Sequence, residues 1–206
     1  VSKGDFEHFM QKEIHEQPET LREAMRGRLV ADEATARLNG IERKPEELRL
    51  WETLILTGCG TSFNAALAGE YIIESLSRVP VECEIASEFR YRKPVVDGDT
   101  LVIGLSQSGE TADTLAALRH AQSLGMTNTL TICNVATSAM VRECSLAYIT
   151  RAGVEIGVAS TKAFTTQLAG LFLLTLTLAK IKGKLSSNEE SQHLKAMRHL
   201  PLALQS

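Results

Sequence analysis

The sequence predicts an α/β fold in which helices wind doubly around a five-stranded parallel sheet to form a sandwich, preceded by a helical arm. Two observations predict it: five apolar runs alternate with helix-like stretches, and no hairpin dipeptide of the Asn-Gly kind joins these runs. In such folds ligands bind at the carboxyl ends of the strands, near the point where the strand order reverses. A ligand site is therefore expected in the loops after residues 56, 105 and 150.

The first expected element is the arm. After residue 6, Phe9, Met10 and Ile14 suggest a helix and are followed by Pro18, a residue favoured in the first turn of a helix. The pattern predicts two short helices, the second beginning at Pro18.

The elements of the sandwich follow in alternation. Apolar runs predict strands at residues 52–56, 81–86, 100–105, 129–133 and 146–150. Helices are predicted at residues 63–77, 112–124, 138–143, 162–182 and after 188. The chain is accordingly divided into an arm at residues 1–45, the sandwich domain at 46–185 and a C-terminal helix at 186–206.

The composition narrows the class of partner. With 22 Lys and Arg against 25 Asp and Glu the formal charge is −3, and there is no long basic block to favour nucleic acid or an anionic membrane. A small molecule is the expected ligand. The four cysteines form no C-x-x-C pair and no Cys/His metal spacing, so we expect reduced thiols in a cytoplasmic protein, without a disulfide or zinc.

Residues 163–181 are the one stretch apolar enough to suggest a membrane span. Polar residues interrupt it and no aromatic belt flanks it, which favours a core or dimer-interface helix. Residues 1–5 carry no signal-peptide pattern, and the chain is expected to start within a longer protein.

The strongest ligand signal is the segment SQSGET at residues 106–111, which follows the third strand. It offers three hydroxyls and an amide directly before a helix. Free backbone N–H groups and the positive helix end favour an anion there, and Gly109 lets the backbone come close to it. The segment predicts a phosphate site that needs neither a metal nor a lysine. The alternative is that Ser108 or Thr111 only caps the helix.

Two further loops place hydroxyl residues before helices. Residues 58–62 begin like a dinucleotide fingerprint, but Phe63 stands in place of its third glycine, so a nicotinamide cofactor is disfavoured. The sequence also has no Gly-Lys-Ser/Thr loop of the kind that binds a nucleoside triphosphate. This loop either contacts a small ligand or forms a tight turn and a cap. Residues 155–162 likewise either contact a ligand or cap the helix that follows. Glu155 could serve as an acid or base; alternatively, it is a solvated or ion-paired side chain. None of the five histidines lies in a predicted strand-end loop, and none is expected to be catalytic.

Four segments together closely resemble the glucosamine-6-phosphate synthase family, the isomerising glutamine:fructose-6-phosphate aminotransferases. They are CGTS at 59–62, EIASEFRYR at 84–92, SQSGETADT at 106–114 and EIGVASTKAFTTQ at 155–167. The arm segment MQKEIHEQP at 10–18 extends the resemblance over nearly the whole chain. The chain looks like the first of two sugar isomerase (SIS) domains in the isomerase half, which implies a flavodoxin-like sandwich.

The resemblance also implies the ligand and its contacts. The ligand would be a sugar phosphate, fructose 6-phosphate or glucosamine 6-phosphate, bound without a metal or cofactor. The phosphate would be bound by Ser106, Gln107, Ser108 and Thr111, the phosphate or sugar by Thr61 and Ser62, and the sugar by Val158 and Ser160. SIS domains of this family commonly pair, so a homodimer is expected.

The family's glutaminase domain, its second SIS domain and its C-terminal lysine have no counterpart in this sequence. The family's enzyme makes glucosamine 6-phosphate and glutamate from fructose 6-phosphate and glutamine. Residues 186–206 are expected to lead toward the second SIS domain. The chain alone is expected to bind hexose phosphate without turning it over. One alternative is a non-enzymatic SIS sensor of a sugar phosphate, although no basic recognition helix is present. Another is a stand-alone aldose–ketose isomerase, although no base or histidine is placed at the pocket.

Overall fold

The chain forms seven strands and eight helices in the part that the computed structural model describes, which is residues 2–30, 35–38, 40–95 and 99–205. In chain order they are α1 (Phe9–Met25), β1 (Leu29–Val30), β2 (Thr35–Ala36), α2 (Pro45–Leu50), β3 (Thr53–Gly58), α3 (Thr61–Ser77), β4 (Val81–Ile85), α4 (Ala86–Phe89), β5 (Thr100–Ser106), α5 (Ala112–Ser123), β6 (Asn128–Cys133), α6 (Ala139–Glu143), β7 (Leu146–Ile149), α7 (Lys162–Ile181) and α8 (Ser187–Ala203). A short 3-10 helix, Ile41–Arg43, precedes α2.

The main sheet is entirely parallel and has the strand order β4-β3-β5-β6-β7. This is the flavodoxin-like order, and all five predicted strands are present, so the predicted fold class is confirmed. After β4 the chain crosses back over β3 to form β5. The loops after β3 and β5 therefore lie side by side at the point where the strand order reverses.

Successive strand residues point to opposite faces of the sheet and enter two apolar cores. Leu56 and Ile103 pack into a core with side chains from α1, α3, α7 and α8. Ile55 and Val102 pack on the other face against side chains from α4, α5 and α6. Helices therefore cover both faces, as the doubly wound arrangement requires.

The apolar helix α7 lies in the first of these cores. By length and composition it could cross a membrane, but 67% of its most apolar window is buried inside the protein. It packs mainly against α3 and α1. This burial confirms the prediction of a core helix; a role at a dimer interface stays a prediction.

The prediction of two helices in the arm is wrong, because α1 is one helix that runs through Pro18. Proline has no N–H, so the carbonyl of Ile14, four residues earlier, loses its helical donor. The side-chain amide of Gln17 donates to that carbonyl at 3.2 Å. The helix continues because a neighbouring side chain replaces the missing bond.

Four short strands and α-helices were not predicted. β1 and β2 form a two-residue antiparallel ladder, and α2 and α4 have six and four residues. Elements of this length carry too few residues to show a period. Because Leu38 and Ile41 join the core formed with α7, part of the predicted arm packs on the sandwich. The domain boundaries at residues 45/46 and 185/186 stay predictions.

Arg28 joins the arm to the last strand of the sheet. It is almost fully buried, and its guanidinium donates to the carbonyl of Ala24 at 2.8 Å and to the hydroxyl of Tyr148 at 2.7 Å. It also donates to the carbonyl of Ile149 and lies 4.1 Å above the Tyr148 ring. The end of β7 is thereby fixed to the end of α1.

The four cysteines are free thiols. Burial, together with the nearby carboxylates of Glu70 and Glu74, raises the pKa of Cys83 to about 12, and burial likewise raises the pKa of Cys144 to about 12. Both thiols therefore stay protonated, and so weakly nucleophilic, well above neutral pH.

This protonation predicts slow alkylation of both thiols by iodoacetamide at pH 8. In urea-unfolded protein their pKa returns to about 8.5, so each should react at least about 100-fold faster than in the folded chain. Quantification of the labelled peptides by mass spectrometry measures the two rates. Similar rates in the folded and unfolded protein would contradict the prediction.

Candidate functional site

The loop after β5, residues 106–111, is folded back on itself by its own side chains; we call it the serine loop. The hydroxyl oxygen of Ser106 accepts a hydrogen bond from the N–H of Gly109 at 3.0 Å and lies 2.8 Å from Oγ1 of Thr111. Oγ of Ser108 accepts from the N–H of Glu110 at 3.1 Å. Because Ser106 is buried, its hydroxyl faces the loop interior, whereas Ser108 and Thr111 are partly exposed at the surface.

The serine loop is also bound to the segment that follows β6. The N–H of Asn134 donates to the carbonyl of Gln107 at 3.0 Å, and the N–H of Met140 donates to the carbonyl of Gly109 at 3.1 Å. These bonds fix the serine loop to the segment after β6 through its own backbone. Preorganised donors lose little entropy on binding, which strengthens recognition.

Glycine is required at position 109 for two reasons: its backbone conformation and the close approach of Ser138. Its φ of +68° lies in the left-handed region, which side chains rarely adopt. A Cβ atom at this position would lie 2.1 Å from Oγ of Ser138 and 2.5 Å from its Cβ. The serine loop therefore packs directly against the start of α6.

The first turn of α5 directly follows the serine loop, and the side chain of Thr111 does not cap the N–H groups of this turn. That residue occupies the N-cap position that the capping alternative gave it, but its side chain makes no capping bond. Ser108 likewise bonds only within the loop. Asp113 places a carboxylate in this turn, and Arg90 pairs with it at 2.7 Å. Arg90, which was not predicted as a site residue, thus offsets a charge that would repel an anion.

The loop after β3, residues 58–62, supplies Thr61 and Ser62 as the first residues of α3; we call it the β3 loop. Oγ of Ser62 accepts a hydrogen bond from Nε2 of Gln167 at 3.1 Å. Gln167 lies on α7 and is nearly fully buried. This contact links the β3 loop to the helix that follows the last strand, and nothing in the spacing of the two residues predicts it.

The loop after β7, residues 150–161, carries Val158 and Ser160; we call it the β7 loop. The carboxylate of Glu155 accepts hydrogen bonds from Oγ of Ser160 at 2.9 Å and from the N–H groups of Thr161 and Ala163 at 2.8 and 3.2 Å. Glu155 is therefore the cap of α7, an arrangement that neither the acid/base interpretation nor the solvated or ion-paired interpretation describes.

Val158 is fully exposed at the surface of the β7 loop. Ser160 uses its proton to bond Glu155, so its oxygen remains able to accept from a ligand.

A cleft of ≈ 680 Å³ brings the serine loop and the β7 loop together. It is lined by Gln107, Asn134, Val135, Ala136, Thr137, Ile149, Arg151, Gly153, Val154 and Glu155. Of the eight predicted site residues, Gln107 lines this cleft. Asn134, which was not predicted, shapes it by accepting from the N–H of Ala152 at 2.7 Å and donating to the carbonyl of Gly153 at 2.6 Å.

The predicted contacts thus divide into three groups at one edge of the sheet. Four lie in the serine loop, two at the neighbouring β3 loop, and Val158 and Ser160 in the β7 loop. Among the residues that the structure describes, no direct hydrogen bond joins Val158 or Ser160 to the other six. Nor does any group of three or more His, Cys, Asp or Glu side chains in the described ranges have an arrangement that could hold a metal ion.

Comparison with known proteins places this arrangement in context. The SIS domain profile matches residues 47–177. The chain is 58% identical over 201 residues to the glutamine–fructose-6-phosphate aminotransferase (isomerizing) of Bordetella parapertussis and 52% identical over 210 residues to that of Haemophilus influenzae. The alignments cover 98% and 100% of this chain and 32% and 33% of those relatives. The chain therefore spans about a third of the length of the curated relatives it matches.

A solved structure extends the likeness to three dimensions. The C-terminal domain of glucosamine-fructose-6-phosphate aminotransferase from Francisella tularensis superposes with a TM-score of 0.92 at 41% identity. The superposition covers 98% of this chain and 56% of that one.

The packing of the serine loop predicts that Gly109→Ala destabilises the protein more than a matched substitution does. Gly125→Ala is the control, because Gly125 also has a positive φ but has open space around its Cα. Left-handed strain should cost about 1–2 kcal/mol at both positions, and overlap with Ser138 about 1–3 kcal/mol more at Gly109. Urea denaturation measures both losses, and equal losses would contradict the prediction.

Proposed function

Because this chain belongs to the SIS domain family, we propose that it binds a hexose phosphate, with the phosphate group on the serine loop. The observation that carries the proposal is the position of this loop, at the reversal of strand order and directly before the uncapped first turn of α5. Anionic ligands of open parallel sheets bind at such positions.

The donors available there suit a phosphate dianion. The hydroxyls of Ser108 and Thr111, the amide of Gln107 and the first backbone N–H groups of α5 offer several hydrogen bonds. Hydrogen bonds to a charged group contribute about 1.5–3 kcal/mol each, and the helix end adds about 0.3–1 kcal/mol. The buried hydroxyl of Ser106, a predicted phosphate contact, supports these donors by holding Gly109 and Thr111 in place.

The sugar would then lie between the serine loop and its two neighbours. Thr61 and Ser62 supply hydroxyls from the β3 loop, for the phosphate or the sugar. Val158 and Ser160 supply an exposed apolar surface and a hydroxyl oxygen from the β7 loop. We assign no catalytic residue to this chain.

The reaction we propose for the whole enzyme is the conversion of fructose 6-phosphate and glutamine to glucosamine 6-phosphate and glutamate. Identity of 58% to an aminotransferase of that name supports it. The same identity, extending over 98% of the chain, favours an enzyme module over a non-enzymatic sensor. The ligand of this module is accordingly fructose 6-phosphate or glucosamine 6-phosphate.

The proposal predicts that Ser108→Ala weakens binding of fructose 6-phosphate about 10- to 100-fold, the effect of one lost hydrogen bond to a charged group. Ser123→Ala is the matched control, because Ser123 lies at the opposite end of α5 and bonds only the carbonyl of His120. Calorimetric titration of both variants and of the unsubstituted chain measures the affinities.

Unphosphorylated fructose serves as the control ligand and should bind far more weakly. Equal binding of fructose and fructose 6-phosphate, or an unchanged affinity in Ser108→Ala, would overturn the assignment of the phosphate to the serine loop.

We also propose that the chain forms a homodimer and acts in the cytoplasm. The free thiols support the location, since reduced cysteines are typical of that compartment.

The apolar helix α7 is the candidate for part of the dimer interface. Light scattering on a concentration series should give twice the chain mass of 22.5 kDa. A mass that stays at one chain at the highest concentration would rule out the dimer.

A further inference from the structure

The β7 loop has no regular structure of its own and little apolar packing to hold it. Residues 150–161 are neither helical nor strand. Its apolar side chains Val154, Ile156 and Val158 are exposed. Its conformation must therefore be fixed by polar contacts, and several of these come from the arm helix α1.

Glu13 makes the most direct of these contacts. Its carboxylate lies on α1, is only 3% exposed, and accepts hydrogen bonds from two successive N–H groups of the β7 loop. The N–H of Ile156 donates to Oε1 at 2.6 Å, and the N–H of Gly157 lies 3.2 Å from Oε1 and 3.1 Å from Oε2. The next residue along the chain is Val158, a predicted sugar contact.

Gly157 allows this close approach. A Cβ atom there would lie 2.6 Å from Oε2 of Glu13 and 3.5 Å from the α1 backbone at Met10. Its φ is outside the left-handed region, so the space, and not the backbone conformation, requires glycine.

The same face of α1 also contacts the start of α7, directly after the β7 loop. Nζ of Lys162, whose side chain is 6% exposed, pairs with the Glu16 carboxylate at 2.8 Å. Burial alone would raise the pKa of Glu16, but the hydrogen bonds and charges of Lys162 and Lys12 hold it below its usual value, so the Glu16 carboxylate is ionised at neutral pH. Gln17 accepts a further bond from the hydroxyl of Thr165.

We propose that Glu13 is a positioning residue for the sugar: it sets the backbone at residues 156 and 157 so that Val158 and Ser160 face the ligand. This inference rests on the proposed function and extends it to a residue outside the sandwich. A carboxylate suits the role because both of its oxygens accept, whereas an amide would turn a donor toward one of the two N–H groups.

The test uses Glu13→Gln, with Glu19→Gln as the matched control. Glu19 lies on the same helix, but its side chain is 62% exposed and pairs with Arg22. Calorimetry with fructose 6-phosphate and with inorganic phosphate separates sugar contacts from phosphate contacts. We expect Glu13→Gln to weaken fructose 6-phosphate about tenfold and to leave inorganic phosphate within about twofold, with no change in Glu19→Gln.

A second variant changes the other partner of this contact, Gly157 in the β7 loop. Gly157→Ala should displace the Glu13 carboxylate without altering α1, and should produce the same selective loss even if Glu13→Gln folds poorly. The double variant should lose no more affinity than either single variant, because both remove one interaction.

The outcomes separate this inference from the proposed function. If the unsubstituted chain binds fructose 6-phosphate and both variants bind it equally well, the positioning role is wrong and the proposed function stands. An equal loss for fructose 6-phosphate and inorganic phosphate would also overturn the role, because it would indicate a general structural effect. If the unsubstituted chain does not bind fructose 6-phosphate, the proposed function fails, and this inference fails with it.

Discussion

The candidate site depends on one constraint, the parallel alignment of five neighbouring strands. Every such strand ends at the same edge of the sheet, and the helices α3, α5 and α7 begin at that edge. Their partial positive charges therefore converge. The carboxylate of Glu155 accepts from the N–H of Ala163 in the first turn of α7, whereas the side chain of Thr111 makes no capping bond at α5. This difference supports the proposed placement of the phosphate at α5 and of the sugar near α7.

Rigidity of the serine loop is a property of folding and not of ligand binding. Ser106 organises the loop from within, and the bonds to Asn134 and Met140 fix it from outside. The entropy of ordering these residues is therefore lost when the chain folds, and little further loss accompanies binding. Hydroxyl groups on a loop without such bonds would become ordered only when a ligand binds, at a further cost in entropy. In the proposed complex, the buried polar residues around the loop contribute to affinity by ordering it.

The sequence predicted the sheet well because each strand is a run of four to seven residues that is apolar or, in β4, alternates apolar and polar residues, and such a run can be recognised without knowledge of its neighbours. Strand order needed the tertiary structure, since the position of β5 beside β3 is not encoded in either run. The break at Pro18 was predicted wrongly because the rule for proline ignores a side chain such as Gln17 that replaces the lost donor. The serine loop was found from composition alone, but the inward direction of Ser106 was not. Glu13 was missed because 143 positions separate it from Ile156.

Gln17 uses both ends of one side-chain amide. Its nitrogen donates to the carbonyl left open by Pro18, and its oxygen accepts from Thr165 on α7. The continuity of the arm helix and one of its contacts with α7 therefore share a single group. Fraying of α1 at the proline would release the start of α7, and undocking would weaken the helix. The arm and the β7 loop should consequently open as one cooperative unit, with amide hydrogens in both exchanging at a common opening free energy.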